Sequence, residues 1–281
     1  MDRIKINFLF CPFLDIGLIM KKFVFIVGLI FTLLRPVYAQ EVQINRVGEA
    51  LYFEGQINHD SANILIGHLR TGVKQLFISS KGGNAEAALD IAMALRQAQA
   101  SITVTRYCYS SCANYLFLTA KEKTLRPNAI LGFHGGFDQE VTPEVTKSLP
   151  EKFSSLLQRD SDLLRILKID RKLFRLSYEL TKPTNPTAIY IVTTKQGEQK
   201  FENEEEAKQV YKDLRQRGEF VEFTFEFRGL SENKVYFPSE GTLKKYGVTG
   251  IQYYYYPNNR EELERLAKEN EVEIVSDLEQ R

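Results

Sequence analysis

Read for alternation of apolar and polar positions, the chain from Ala50 onward is a succession of strands and helices. Ala50 to Ile57 is apolar with β-branched and aromatic members, interrupted by Gly55. Asp60-Ser61 offers a cap before Ala62 to Leu69, where apolar positions recur at helical spacing. Val73 to Ser79 predicts a buried strand, and Lys81-Gly82-Gly83-Asn84 breaks it. Ala85 to Gln97 is alanine-rich and predicts a helix. Ser101 to Tyr107 is strand-like, Cys112 to Ala120 a buried helix, and Ala129 to Phe133 a strand ending at His134. This βαβα order predicts an α/β fold whose parallel or mixed sheet is flanked by helices. Reactive groups in such sheets gather where strands end and helices begin. Three segments fall there: Gly82-Gly83, Ser110-Ser111 and His134-Gly135-Gly136.

Helical sequence follows over Thr146 to Leu167 and Asp170 to Leu180, and Pro183 and Pro186 end it. The texture then changes. Ala188 to Thr194 predicts a strand, Glu204 to Gln216 a charged helix, and Glu219 to Phe227 an alternating strand. Residues 183–233 therefore read as an inserted small α+β subdomain, a cover over the cleft, a partner surface or a solvated decoration. Ser239 to Tyr246 predicts a short helix, Val248 to Tyr255 a strand and Arg260 to Asn270 an exposed helix. The main domain is then 40–182 with 234–281.

Composition narrows the class. An apolar fraction of 43% suits a globular core, and the formal charge of +1 gives no global basic field for nucleic acid. The N-terminus reads as an export signal over residues 1–39. Lys21-Lys22 precede the apolar run Phe23 to Leu34, and Val37-Tyr38-Ala39 gives a small-residue cleavage pattern before Gln40. Met20, just before the lysines, is an alternative start. The expected location is periplasmic or secreted, with the membrane met only through this segment. An uncleaved anchor using Ile4 to Met20 and Phe23 to Leu34 is the competing reading. Cleavage removes Cys11 and leaves Cys108 and Cys112. In an oxidising compartment these either pair or remain two small buried thiols. The cysteines and three histidines show no metal-ligand spacing.

The junctions hold the candidate chemistry. A serine hydroxyl needs a base to become a nucleophile, and histidine suits that role at neutral pH. Ser111 sits where a strand gives way to a helix, so the Cys112 N–H falls at a helix start. Gly83 lets its backbone approach a carbonyl. His134 follows Ser111 by one helix and one strand, which in a parallel sheet returns it to the same edge. Taken singly, a serine pair before a helix is usually a cap, and a Gly-Gly after a strand usually a turn.

Four segments in this order resemble the Clp protease proteolytic subunit. Ile78-Ser79-Ser80-Lys81-Gly82-Gly83 before an alanine-rich helix is similar to its Ser-Pro-Gly-Gly turn. Tyr109-Ser110-Ser111-Cys112-Ala113-Asn114-Tyr115-Leu116 resembles its nucleophile segment, and Arg126-Pro127-Asn128 through His134 its histidine segment. Tyr236 to Gly250 resembles its later Tyr-Gly-Leu-Val-Asp segment. The resemblance spans about Ala50 to Leu180 and Asn233 to Ile251, closest to an exported Clp-like branch with a Cys-X-Ser-X-Cys-like nucleophile segment. It implies the Clp/crotonase fold, a spiral of ββα units, and self-association into trimers or larger rings. It implies Ser111 as nucleophile, His134 as base, and the N–H groups of Gly83 and Cys112 as oxyanion donors. Glu179, in Leu173-Phe174-Arg175-Leu176-Ser177-Tyr178-Glu179, stands in the place of the orienting acid, with Asp160 and Asp162 as less favoured stand-ins. Lys81 replaces the turn proline, and Cys112-Ala113 replace Met-Gly.

Three functions compete. The first is an exported serine peptidase acting on peptide or protein without a cofactor. The second is an inactive binding or scaffold protein of the cell envelope on the same fold. The third, acyl-thioester chemistry of the crotonase kind, ranks last because coenzyme A is not expected outside the cytoplasm.

Overall fold

The computed structural model describes residues 42–136, 151–182, 187–228 and 233–280. The signal segment, Cys11 and Met20 lie outside the described residues. So do the start of the helix expected from Thr146 and the two prolines at 183 and 186.

A mixed, mostly parallel seven-stranded sheet organises the chain. β1 (Gln43–Val47) and β2 (Ala50–Glu54) form an antiparallel hairpin. From β2 the sheet runs parallel through β3 (Gln75–Ser80), β4 (Ser101–Tyr109), β5 (Lys123–Leu125) and β11 (Ile251–Tyr254). The long β4 serves several neighbours. Its first half pairs with β5, and its second half pairs with β6 (Ile130–Gly132), Tyr109 opposite Gly132. Beyond β6, Phe133 bridges Tyr236 of β10 (Lys234–Phe237), which pairs in parallel with β12 (Glu273–Ser276).

Helix α1 (His59–Arg70) is capped by Asn58, two residues before the Asp60-Ser61 cap expected. Asn58 accepts the Ser61 N–H at 2.8 Å, and the Ser61 hydroxyl accepts the Asn58 N–H at 3.0 Å. This reciprocal capping box satisfies two donors at once and so fixes the start. α2 (Ala85–Ala98) is capped by Asn84, which accepts the Ala87 N–H. Its alanines let it lie close on its neighbours. Ala87, Ala88 and Ala92 are fully buried, and the helix packs on α1 and on the segment Cys112–Phe117. That segment is wound as a π-helix, a form often found at functional sites. α3 (Glu151–Leu167) and α4 (Lys172–Thr181) complete the first part. The short α6 (Glu240–Lys245) and α7 (Arg260–Glu269) flank β11 in the chain.

Residues 187–228 build a sheet of their own. β7 (Thr187–Thr194) is central, antiparallel to β8 (Gly197–Phe201) and β9 (Val221–Arg228), with α5 (Glu204–Gln216) packed on it. The first and last residues, Thr187 and Arg228, are direct register partners. Among the described residues no helix is long and apolar enough to cross a membrane.

Candidate active site

Three parallel strands end together. Ser80 of β3 is level with Cys108 of β4, and Tyr109 of β4 is level with Gly132 of β6. Two residues past each of these ends stand Gly82, Ser111 and His134. The register of the sheet therefore brings all three junctions to one carboxyl edge.

The turn carrying Ser111 is tightly determined. Ser110 adopts φ +54°, a left-handed conformation that costs a non-glycine residue about 1–2 kcal/mol. It is held there by its N–H, which donates to Gly132 O at 3.0 Å. Gly82 packs against this turn. A Cβ on Gly82 would lie 2.7 Å from Tyr109 O and 3.1 Å from Ser111 N. Cys108 and Cys112 form a disulfide, with Cα atoms 5.3 Å apart, so the bridge spans the elbow holding Ser111. Both cysteines are fully buried.

Ser111 is itself buried, 4% exposed, and its Oγ donates to Gly83 O at 3.2 Å. Gly83 is pinned from its other side. Ile57 N–H donates to Gly82 O, and Asn84 N–H donates to Ile57 O, both at 2.8 Å. In such a parallel bridge both backbone polar groups of Gly83 point away from Ile57. Its carbonyl meets Ser111, and its N–H faces the same side. A Cβ at Gly83 would lie 2.1 Å from Ile57 O, and its φ of +140° suits glycine. The Cys112 N–H opens the π-helix and takes no intrahelical bond.

Asn114 is a site residue that pattern reading passed over. It is 6% exposed, one helical turn after Ser111, and its Nδ2 donates to Gly135 O at 2.8 Å. The helix bearing Ser111 is thereby tied to the residue after His134. Its Oδ1 is buried with no hydrogen-bond partner among the described residues. The available signal was a lone amide inside an otherwise apolar helix, Cys112-Ala113-Asn114-Tyr115-Leu116-Phe117. Tyr109 lies at the same edge. Its buried hydroxyl also lacks a partner among the described residues, and burial, reinforced by Tyr107, pushes its pKa up.

The candidate acids fall in different settings. Glu179 is on α4 with its side chain 54% exposed, and its carboxylate is engaged by Lys182. Asp162 is exposed and bound by Gln158 and Arg165, which hold its pKa below the usual range. Asp160 alone is buried, 4% exposed, and pairs with Arg171 at 3.3 Å. Among the described residues no group of three or more metal-ligating side chains is gathered.

No protein-family model matches the chain, and no curated protein is significantly similar to it.

Proposed function

We propose that this chain is an exported serine hydrolase of the peptidase kind, built on a Clp/crotonase-like spiral and working as a homo-oligomer on peptide or protein. The observation that carries the reading is the shared strand edge. Ser111 sits on a strained elbow with its hydroxyl against Gly83, and His134 emerges from the neighbouring strand.

In the chemistry that follows, Ser111 Oγ turns from the Gly83 carbonyl and attacks the substrate carbonyl carbon. His134 takes its proton. The oxyanion formed is met by the N–H groups of Gly83 and Cys112, donors fixed before reaction and worth most where water is excluded. The intermediate collapses, the C–N bond breaks, and His134 returns the proton to the leaving amine. Water then repeats the sequence on the acyl-serine, with His134 as base and then acid. Asp160 stays a less favoured stand-in for Glu179 as orienting acid: it is buried, but its carboxylate is already paired with Arg171.

A second reading is an inactive binding protein. It is favoured by the Ser111 hydroxyl being spent on Gly83 O and by the Glu179 carboxylate being spent on Lys182. A fluorophosphonate probe followed by peptide mass mapping separates the two. Labelling of Ser111 in the wild type, lost in Ser111→Ala and strongly slowed in His134→Ala, is expected. A folded wild-type protein that neither labels nor cleaves an unfolded protein such as casein would sink the hydrolase.

A further inference from the structure

A pocket of about 210 Å3 lies among residues that play no part in the proposed site. Its wall includes Lys123, at the start of β5, and Thr119, just after the π-helix. Arg96 and Lys121 are exposed cations of the same lining, and Ile169 and Thr249 supply its other sides. The lining thus carries three cationic side chains and no carboxylate.

Lys123 is 3% exposed, yet among the described residues its ammonium finds one acceptor, Ala120 O at 2.5 Å. A lysine ammonium has three donors to place. Thr119, 5% exposed, has its hydroxyl buried with no partner among the described residues. Gly250 adds no side chain here; its Cβ position would lie 3.6 Å from Nζ. Carboxyl ends of α2 and α3 come close, and two carbonyls at each of these ends are already used. Gln99 N–H and Ala100 N–H take Arg96 O and Leu95 O, and Lys168 N–H and Ile169 N–H take Arg165 O and Leu164 O. Burial without a counter-ion pushes the Lys123 pKa down to about 8. An anion beside it would favour the charged form.

We propose that this pocket is a binding site for a small oxyanion, held by the Lys123 ammonium and the Thr119 hydroxyl, with Arg96 and Lys121 drawing it in. A phosphate and a short carboxylate share the required chemistry: compact negative charge and several acceptor oxygens for otherwise unspent donors. The apolar faces of Leu167 and Ile169 exclude water on one side, which strengthens the contact.

The test is calorimetric titration of the folded, full chain with inorganic phosphate and, separately, with acetate, chloride being held at matched ionic strength. Saturable binding of one ion per chain is expected from at least one of the two. Phosphate alone points to a phosphate site, and acetate to a carboxylate site. Affinity should fall at least roughly tenfold in Lys123→Met, as loss of a charge-assisted hydrogen bond implies. Thr119→Val should weaken binding more modestly, and Ser111→Ala should leave it unchanged. Absence of saturable binding for both ions overturns the proposal, as does wild-type affinity in a folded Lys123→Met. If Lys123→Met does not fold, Thr119→Val and Arg96→Gln decide, and wild-type affinity in both overturns it.

Discussion

Replacing Lys123 by methionine should stabilise the protein at neutral pH and flatten its stability on the alkaline side. The ammonium is buried among Thr119, the Ala120 carbonyl and the backbone of Gly250, with Arg96 and Lys121 as the charges lining the same pocket. Its pKa falls from the ordinary 10.5 to about 8 because burial disfavours the charged form. A lysine with a lowered folded pKa costs stability wherever it is protonated in both states, here below about pH 8. The cost is relieved as pH rises from about 8 towards 10.5, where the unfolded chain still binds the proton and the folded one does not. At 1.36 kcal/mol per pH unit the full cost is roughly 3 kcal/mol. Methionine removes it but forfeits the bond to Ala120 O, worth about 1 kcal/mol. The variant should therefore gain roughly 2 kcal/mol near neutrality. Its advantage should shrink by roughly 2 kcal/mol between about pH 7 and 9.5. Urea unfolding of both proteins, in buffers free of phosphate and carboxylate, measures this directly. If wild-type and variant stabilities run parallel across that range, the burial argument fails.

Three further outcomes follow from the same contacts. Asn114→Ala should slow fluorophosphonate labelling of Ser111 by about tenfold or more, in line with the effect of small misplacements on positioned groups. It should also shift the pH profile of labelling, because the Gly135 tie next to His134 is lost; a slower rate with an unchanged profile would indicate a purely structural role. Cys108→Ala with Cys112→Ala opens a very short loop, worth about 2 kcal/mol by chain entropy; thermal unfolding should register that loss, and labelling should slow because the elbow loosens. Asp277 accepts bonds from the Tyr236, Ser239 and Thr242 hydroxyls and the Ser239 N–H. Burial alone would raise its pKa, but these donors outweigh it and lower the value. Its contribution is present above the usual aspartate range and is lost as pH falls through the lowered folded pKa. Asp277→Ala should cost about 1–3 kcal/mol at neutral pH and blunt acid unfolding, read by urea melts at two pH values.

The sequence exposes elements whose own periodicity decides them. The alanine-rich helix expected over Ala85 to Gln97 is found as Ala85–Ala98, and the charged helix Glu204–Gln216 has the expected bounds. The strand expected at Val73 to Ser79 is found as Gln75–Ser80. Elements made by pairing are less visible. β5 has three residues, Lys-Thr-Leu, and is a strand only because β4 and β11 lie on either side of it. β12 likewise depends on β10. The helix starting at Cys112 was readable, but not its π winding, which no local propensity encodes. At the site, the order of Gly83, Ser111 and His134 along the chain was legible. The shared edge needed the register of β3, β4 and β6. Asn114 was hidden because its partner is a backbone carbonyl 21 residues away. Whether a carboxylate on a helix meets solvent or interior, as Glu179 and Asp160 do differently, depends on how α3 and α4 lie on their neighbours.

Thr187 and Arg228 face each other across one strand pairing, so the small sheet of residues 187–228 enters and leaves through a doorway only about 5 Å wide. A segment with adjoining ends behaves like a bead threaded on a loop. It can be enlarged, exchanged or shortened to a tight turn while the two flanking chain ends keep their spacing. Variation there is thus uncoupled from the precise alignment that Gly83, Ser111 and His134 demand, and relatives of this chain are free to differ most in that bead.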